Sequence, residues 1–165
     1  MSTRAHIAVY PLGVSMAQLL DEDDKLMNRK WEALLYVHSD GYPTSLLKQV
    51  WDFHQFFSDQ RFFVQEDGYD GAYFAARLIQ RLTNEYDKAS RMSPPRFFPN
   101  LLSGFGVTRV MYGDFDWFYA VTQDGVAVFH RRPGGRMKLT SLAAWDDYVA
   151  RETPDKFFAE LERRV

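Results

Sequence analysis

The chain has 165 residues and a formal net charge of −2, from 20 basic and 22 acidic residues. Its length predicts a single domain, and its near-neutral charge argues against a nucleic-acid-binding domain, which is usually strongly basic. The absence of cysteine excludes disulfides, cysteine–zinc sites and thiol catalysis, and it suits a reducing cytoplasm. No apolar run reaches the roughly 20 residues of a membrane span, and the first residues lack a signal-peptide core, so we predict a cytoplasmic protein without a membrane partner.

The chain begins with two predicted strands. Residues 6–10 are rich in strand-forming side chains and end at Pro11, and residues 31–38 predict a second strand that is antiparallel to the first. Apolar residues between positions 16 and 27 indicate a short helix, interrupted by an acidic run. This run predicts a solvated loop or helix end, and the alternative is an acidic contact patch. Its candidate binding residues are Asp21, Asp23 and Asp24.

An Asp-Gly-Tyr-Pro corner follows the second strand and leads into a helix. Asp40 can hydrogen-bond to its own downstream backbone, and Gly41 is expected to take a positive φ. Pro43 keeps the residue before it out of the helical region, and either Thr44 or Ser45 is predicted to cap the helix. The polar candidates at this corner are His38, Asp40 and Tyr42.

His38 and Asp40 lie two residues apart at a strand end, so both side chains can point to the same side. Together with His54 or His130 they would supply the residue types for a metal site or for acid–base catalysis. The alternative is that Asp40 only shapes the turn, and that His54 is a hydrogen-bonded core or boundary histidine. No metalloprotease, serine-hydrolase or dinucleotide-binding pattern occurs, so we assign no catalytic residue, no metal and no cofactor.

Two helices and three strands are predicted for the middle of the chain. Residues 45–57 place apolar side chains along one helical stripe, and the Ala-rich residues 72–86 repeat that period. The proline-containing segment 88–104 predicts a covering loop. A meander is predicted for strands at 105–111, 115–122 and 126–131. Asp124-Gly125 indicates a hairpin, and the middle strand is apolar on both faces, so we expect it to be central and buried.

Residues 131–138 form a basic, glycine-containing turn. The phosphate-binding-loop pattern is absent, so the turn predicts a solvated hairpin loop, and the alternative is contact with an acidic partner or nucleic acid. Its candidate binding residues are Arg131, Arg132 and Arg136. Ser141 is predicted to cap a helix, and Pro154 to begin a last one. We therefore expect an α+β fold: a single domain with an antiparallel or mixed sheet of about five strands, two main helices on one face and C-terminal helices.

Three segments resemble a family of small uncharacterised proteins encoded by phages, prophages and their hosts. The matching segments are Leu35–Pro43, Gly71–Ile79 and Phe115–Val121, within a resemblance that covers about two thirds of the chain. The chain departs from the family around residues 11–30 and in its C-terminal helices. The resemblance implies a phage accessory protein and carries no assigned catalytic residue.

From this resemblance we expect a non-enzymatic protein that binds and inhibits a host defence machine, with a CRISPR–Cas effector complex as the most specific candidate partner. Direct nucleic-acid binding is not expected. Host complexes that process nucleic acids present basic surfaces, which favours the acidic run as the contact. One alternative is a small-molecule or nucleotide binder that uses the Asp40–Tyr42 corner, and another is a metal-dependent hydrolase centred on His38 and Asp40.

Overall fold

The computed structural model describes residues 3–20, 30–38, 40–59, 70–89, 105–111, 113–145 and 154–163. Over these ranges the chain has an α+β fold with one mixed six-stranded sheet and four helices, as predicted for the fold class. The strands are β1 (Ala5–Val9), β2 (Ala33–Val37), β3 (Phe105–Thr108), β4 (Trp117–Val121), β5 (Gly125–Arg131) and β6 (Met137–Ala144). The helices are α1 (Met16–Leu20), α2 (Lys48–Asp59), α3 (Gly71–Ala89) and α4 (Pro154–Arg163), and a π-helical turn, Pro43–Leu47, leads into α2.

The sheet has the strand order β3-β2-β1-β4-β5-β6, in which β1 and β4 are parallel and the other neighbouring pairs are antiparallel. The antiparallel pairing of β1 and β2 and the hairpin at Asp124-Gly125 are both confirmed. All five residues of β4 are buried, which confirms the predicted central strand. A parallel pair needs a long crossover, and α1, α2 and α3 lie in the chain between β1 and β4.

Two predicted elements are wrong. The first is the meander, because β3 pairs with β2, where Leu35 lies opposite Val107. The side chain of Val107 is 70% exposed, so β3 suits a sheet edge, whereas β4 is buried and lies between two strands. The second is the helix at Ser141, which lies in β6 opposite Val128. A buried strand such as β5 needs hydrogen-bonding partners on both edges, and this requirement overrides a local capping preference.

The sheet buries both of its faces. On one face, the predicted stripe of α2 contributes the fully buried Trp51, α3 contributes Leu78 and α4 contributes Phe158 to a single cluster. On the other face, Leu19 of α1 packs in a second cluster with Phe129 of β5. None of the helices in the described ranges is long and apolar enough to cross a membrane.

Candidate functional site

One end of the sheet collects most of the predicted site residues. At this end β1, β3, β4 and β6 begin, and β2 and β5 finish. We call it the charged end and define it by Arg4, His38, Asp40, Tyr42, Asp114, Asp116, Arg131, Arg132 and Arg136. β2 and β5 are three strands apart in the sheet, or about 14 Å at the usual strand spacing. The corner and the basic turn, distant in sequence, therefore belong to one surface.

The corner is docked onto the start of β1 and onto β4. The Gly41 N–H donates to the Thr3 carbonyl at 3.0 Å, and the Tyr119 hydroxyl donates to the Gly41 carbonyl at 2.7 Å. The positive φ lies at Asp40, at +58°, so its predicted place at Gly41 is wrong. Gly41 is needed for a different reason, since a Cβ there would lie 2.7 Å from the Cβ of Ala5.

Replacing Gly41 with valine is expected to lower the free energy of unfolding by about 1–3 kcal/mol, because the added side chain would force β1 and the corner apart. Urea denaturation of the variant measures this loss. Gly106→Val is the matched control, because a Cβ at Gly106 meets no atom within 4 Å. Equal denaturation midpoints for Gly41→Val and wild type would show that the close approach to Ala5 is not needed for stability.

The helix after the corner is capped from a distance, so the predicted local caps are wrong. Tyr42 is the N-cap residue and makes no side-chain cap hydrogen bond. The Thr44 N–H donates to Oε1 of Glu162 in α4 at 2.9 Å, as does its hydroxyl, while the Ser45 hydroxyl donates to the Asp40 carbonyl. A carboxylate at a helix N-terminus satisfies otherwise unpaired N–H groups and complements the helix dipole. The Tyr42 side chain remains 41% exposed at the corner.

A row of side chains crosses the sheet from the corner to the basic turn. The Tyr36 hydroxyl lies 3.4 Å from Nδ1 of His38, and the Tyr36 ring lies 5.3 Å from that of His6. The His6 ring meets Phe115 edge-on at 4.8 Å, and Cζ of Arg131 lies 5.6 Å from the Phe115 ring centroid. Edge-on aromatic and cation–π contacts of this kind are favourable, so the row holds both candidate groups on one rigid support.

His6, in the middle of the row, is fully buried. Burial lowers its pKa to about 4 and outweighs the opposing effect of Asp114, which raises it. The imidazole is therefore neutral at neutral pH, and the row carries a positive charge at its Arg131 end.

The basic turn is a hairpin between β5 and β6, as predicted. Pro133 precedes Gly134, whose φ is +91°, and this pair favours a type II turn with the two residues at its central positions. The Arg132 N–H donates to the Arg136 carbonyl at 2.9 Å, and the Gly135 N–H donates to the Arg132 carbonyl at 3.0 Å. Arg132 and Arg136 are exposed on either side of this closed turn. We refer to residues 131–136 as the arginine hairpin.

Between the corner and the arginine hairpin lie charges of both signs. Arg4 forms an ion pair with Asp114, and its backbone N–H donates to Asp116 Oδ2 at 3.2 Å. His130 contacts the Trp117 ring at 4.7 Å, and burial lowers its pKa despite the opposing effect of Asp116. Asp114 and Asp116 thus lie beside Arg4 near the middle of this end of the sheet, and the three arginines of the hairpin lie to one side of them.

Of the candidate histidines, His38 and His130 lie at the charged end, at the ends of strands three positions apart, and His54 lies elsewhere. His38 contacts Tyr36 at the charged end, whereas the His54 ring stacks on Trp145, 3.8 Å between centroids, beyond the far end of β6. His54 is half-buried in this stack, as predicted for a boundary histidine. Over the ranges that the structure covers, no group of three His, Cys, Asp or Glu side chains is arranged to hold a metal ion. Among the described residues, no third side chain therefore completes a metal site with His38 and Asp40.

The remaining predicted groups lie outside the described residues. These are the acidic run, Asp21, Asp23 and Asp24, and almost all of the covering loop. Sequence reasoning missed three residues of the charged end, Arg4, Asp114 and Asp116, and two residues of the row that supports it, His6 and Phe115. The sequence feature that indicates them is the pair Asp114 and Asp116, which flank Phe115 just before a buried strand.

Comparisons of the chain with family models, with curated proteins and with solved structures gave no match.

Proposed function

We propose that the protein acts by binding a protein partner through the charged end. In this proposal the partner is a bacterial defence complex, most specifically a CRISPR–Cas effector, which the chain inhibits as a phage or mobile-element accessory protein. The observation that carries the proposal is the placement of the corner and the arginine hairpin on one end of one sheet, linked by the row from His38 to Arg131.

The charge pattern favours a protein over a nucleic acid. A phosphate backbone is bound by a continuous set of basic side chains. Here the set of basic side chains is not continuous. Asp40 lies on one side of the surface, and Asp114 and Asp116 lie between Arg4 and Arg132. A surface with charges of both signs complements a protein surface that also carries both signs, and such complementarity sets orientation and partner choice.

The side chains that are presented also suit a protein interface. Tyrosine and arginine are enriched among the residues that contribute most to protein–protein binding. Tyr42 is 41% exposed at the corner, and Arg132 and Arg136 are exposed on the arginine hairpin. Backbone hydrogen bonds fix the corner through Gly41 and close the turn between Arg132 and Arg136, so little backbone entropy is lost when a partner docks.

The defence context rests on the resemblance of the segments Leu35–Pro43, Gly71–Ile79 and Phe115–Val121 to phage-encoded proteins. Expression of the chain in bacterial strains that each carry one defined CRISPR–Cas type tests this context. We expect a targeted phage to recover its plating efficiency in one of these strains, and the tagged chain to co-purify with the effector at fixed stoichiometry. Unchanged phage restriction in every strain would refute the CRISPR–Cas assignment.

Reversing the charge of the arginine hairpin is expected to weaken partner binding by about tenfold or more, because complementary charges at an interface guide encounter and docking. The variant is Arg131, Arg132 and Arg136 to Glu. Its fold is expected to be intact, since Arg132 and Arg136 are exposed charges that contribute little to stability and the half-buried Arg131 loses only its contact with Phe115. Titration against the co-purified partner at two salt concentrations measures the affinity, and salt is expected to weaken the wild-type complex.

The matched control makes the same change in net charge elsewhere, with Lys30, Arg109 and Lys156 replaced by Glu; all three are exposed. The reversal of Asp21, Asp23 and Asp24 to Lys tests the acidic run in the same assay. Wild-type affinity in the hairpin variant, with no salt dependence, would contradict binding through the charged end. An equal loss in the control would show only a general effect of net charge, and would also count against it.

A further inference from the structure

Arg131 differs from the other arginines of the hairpin because its guanidinium is held in place. The residue is half-buried at the end of β5, and its backbone N–H donates to the Asp116 carbonyl at 2.8 Å. Its Cζ lies 5.6 Å from the centroid of the Phe115 ring. A Cβ at Gly135 would lie 3.4 Å from Arg131 Nη2. The guanidinium is therefore close both to an aromatic ring and to a glycine of the turn.

The charge of this guanidinium is not neutralised within the described part of the chain. There, the carboxylate of Asp114 pairs with Arg4, and Asp116 Oδ2 accepts the Arg4 backbone N–H. Arg131, Arg132 and Arg136 form no ion pair with any described carboxylate. Three guanidinium groups thus lie within six residues of a closed turn, and none of them is paired with a carboxylate among the described residues.

We infer that Arg131 is the anchor of a carboxylate-binding site, and that its ligand is an acidic segment of the protein partner. A guanidinium offers a planar pair of N–H donors that matches the two oxygens of a carboxylate, and fixing the plane in advance reduces the entropy lost on binding. The contact with Phe115 restricts the positions that this guanidinium can take. Arg132 and Arg136, exposed beside it, attract the same segment over a longer range.

Phosphate would match the guanidinium equally well, but the surroundings favour protein carboxylates. Asp114 and Asp116 lie in the segment just before β4, the strand next to β5. Their carboxylates would repel the neighbouring phosphates of a nucleic acid. An acidic protein segment can alternate its carboxylates with neutral or basic residues and so avoid them. The partner class rests on the proposed function, whereas the carboxylate site is a property of this chain and can be tested without that partner.

The test uses the full chain and three probes: a short oligo-glutamate peptide, an oligo-lysine peptide of the same length, and a single-stranded DNA oligonucleotide of the same charge as the first. Nuclear magnetic resonance follows the arginine Nε–Hε signals and the hairpin amides during titration. We expect oligo-glutamate to shift the Arg131 Nε–Hε signal and oligo-lysine to leave it unchanged. Arg131→Lys is expected to weaken the peptide about fivefold, since it keeps the charge and loses the paired donors.

Arg132→Lys is the matched control, because Arg132 is exposed and is expected to change the affinity by less than about twofold. Equal affinities of wild type and Arg131→Lys would overturn the inference, because charge alone would then explain binding. Tighter binding of the oligonucleotide at the same arginines would also overturn it, in favour of nucleic acid. Either outcome leaves the co-purification and phage experiments to decide the proposed function separately.

Discussion

Replacing Trp117 with alanine is expected to lower the free energy of unfolding by about 3–5 kcal/mol, the usual cost of truncating a buried aromatic side chain. Trp117 is 3% exposed on the central strand β4, where its ring contacts His130 at 4.7 Å and stacks with Tyr119 at 6.4 Å. The truncation removes these contacts and leaves a cavity that a strand with neighbours on both edges cannot close. Urea denaturation followed by far-UV circular dichroism measures the loss.

Phe56→Ala is the control for this prediction, because Phe56 is 61% exposed on α2. Its truncation is expected to change the free energy of unfolding by no more than about 0.5 kcal/mol. A loss below about 1 kcal/mol for Trp117→Ala would contradict the burial of the face of β4 that Trp117 shares with Tyr119.

Lowering the pH from about 7 to about 4 is expected to destabilise the protein by several kcal/mol. Burial lowers the pKa of both His6 and His54 from 6.5 to about 4 in the folded state. Below pH 6.5 the unfolded chain binds protons that the folded chain does not, so stability is highest above 6.5 and is lost as the pH falls towards 4. Each histidine contributes on the order of 3 kcal/mol to this loss.

The variant His54→Phe isolates one of the two histidines. Phenylalanine can keep the stack on Trp145, whose centroid lies 3.8 Å from that of His54, but it does not titrate. We expect the free energy of unfolding, measured in urea at several pH values, to fall less steeply between about pH 6.5 and 4 than in wild type, with the remaining slope coming from His6 and His130. Superimposable pH profiles for the variant and wild type would rule out a contribution from His54.

Acid loss of stability and loss of binding are expected to be linked through His6. This histidine lies between Tyr36 and Phe115 in the row that supports the charged end. Protonating it requires the buried ring to be hydrated or the row to open, which would release the Phe115 side of the Arg131 guanidinium. The row therefore connects the stability of the sheet with the geometry of the candidate binding surface.

The sequence by itself determined the elements whose signal is local. The stripe of α2, the hairpin at Asp124-Gly125 and the two-sided burial of β4 follow from periodicities of the backbone and from turn chemistry, which a short window contains. The arginine hairpin was also predicted as a loop, because Pro133 and two glycines specify a turn without reference to the rest of the chain.

Only the tertiary structure decided what joins distant segments. The edge position of β3 and the strand at Ser141 depend on which partners β2 and β5 require. The cap of the turn that leads into α2 comes from Glu162, which is 118 residues from Thr44. The charged end depends on the parallel pairing of β1 with β4, which brings Arg4 to Asp114 across 110 residues. A local pattern specifies which backbone conformation a segment prefers, but it holds no information on which distant strand will satisfy its hydrogen bonds, and that choice assembles the site.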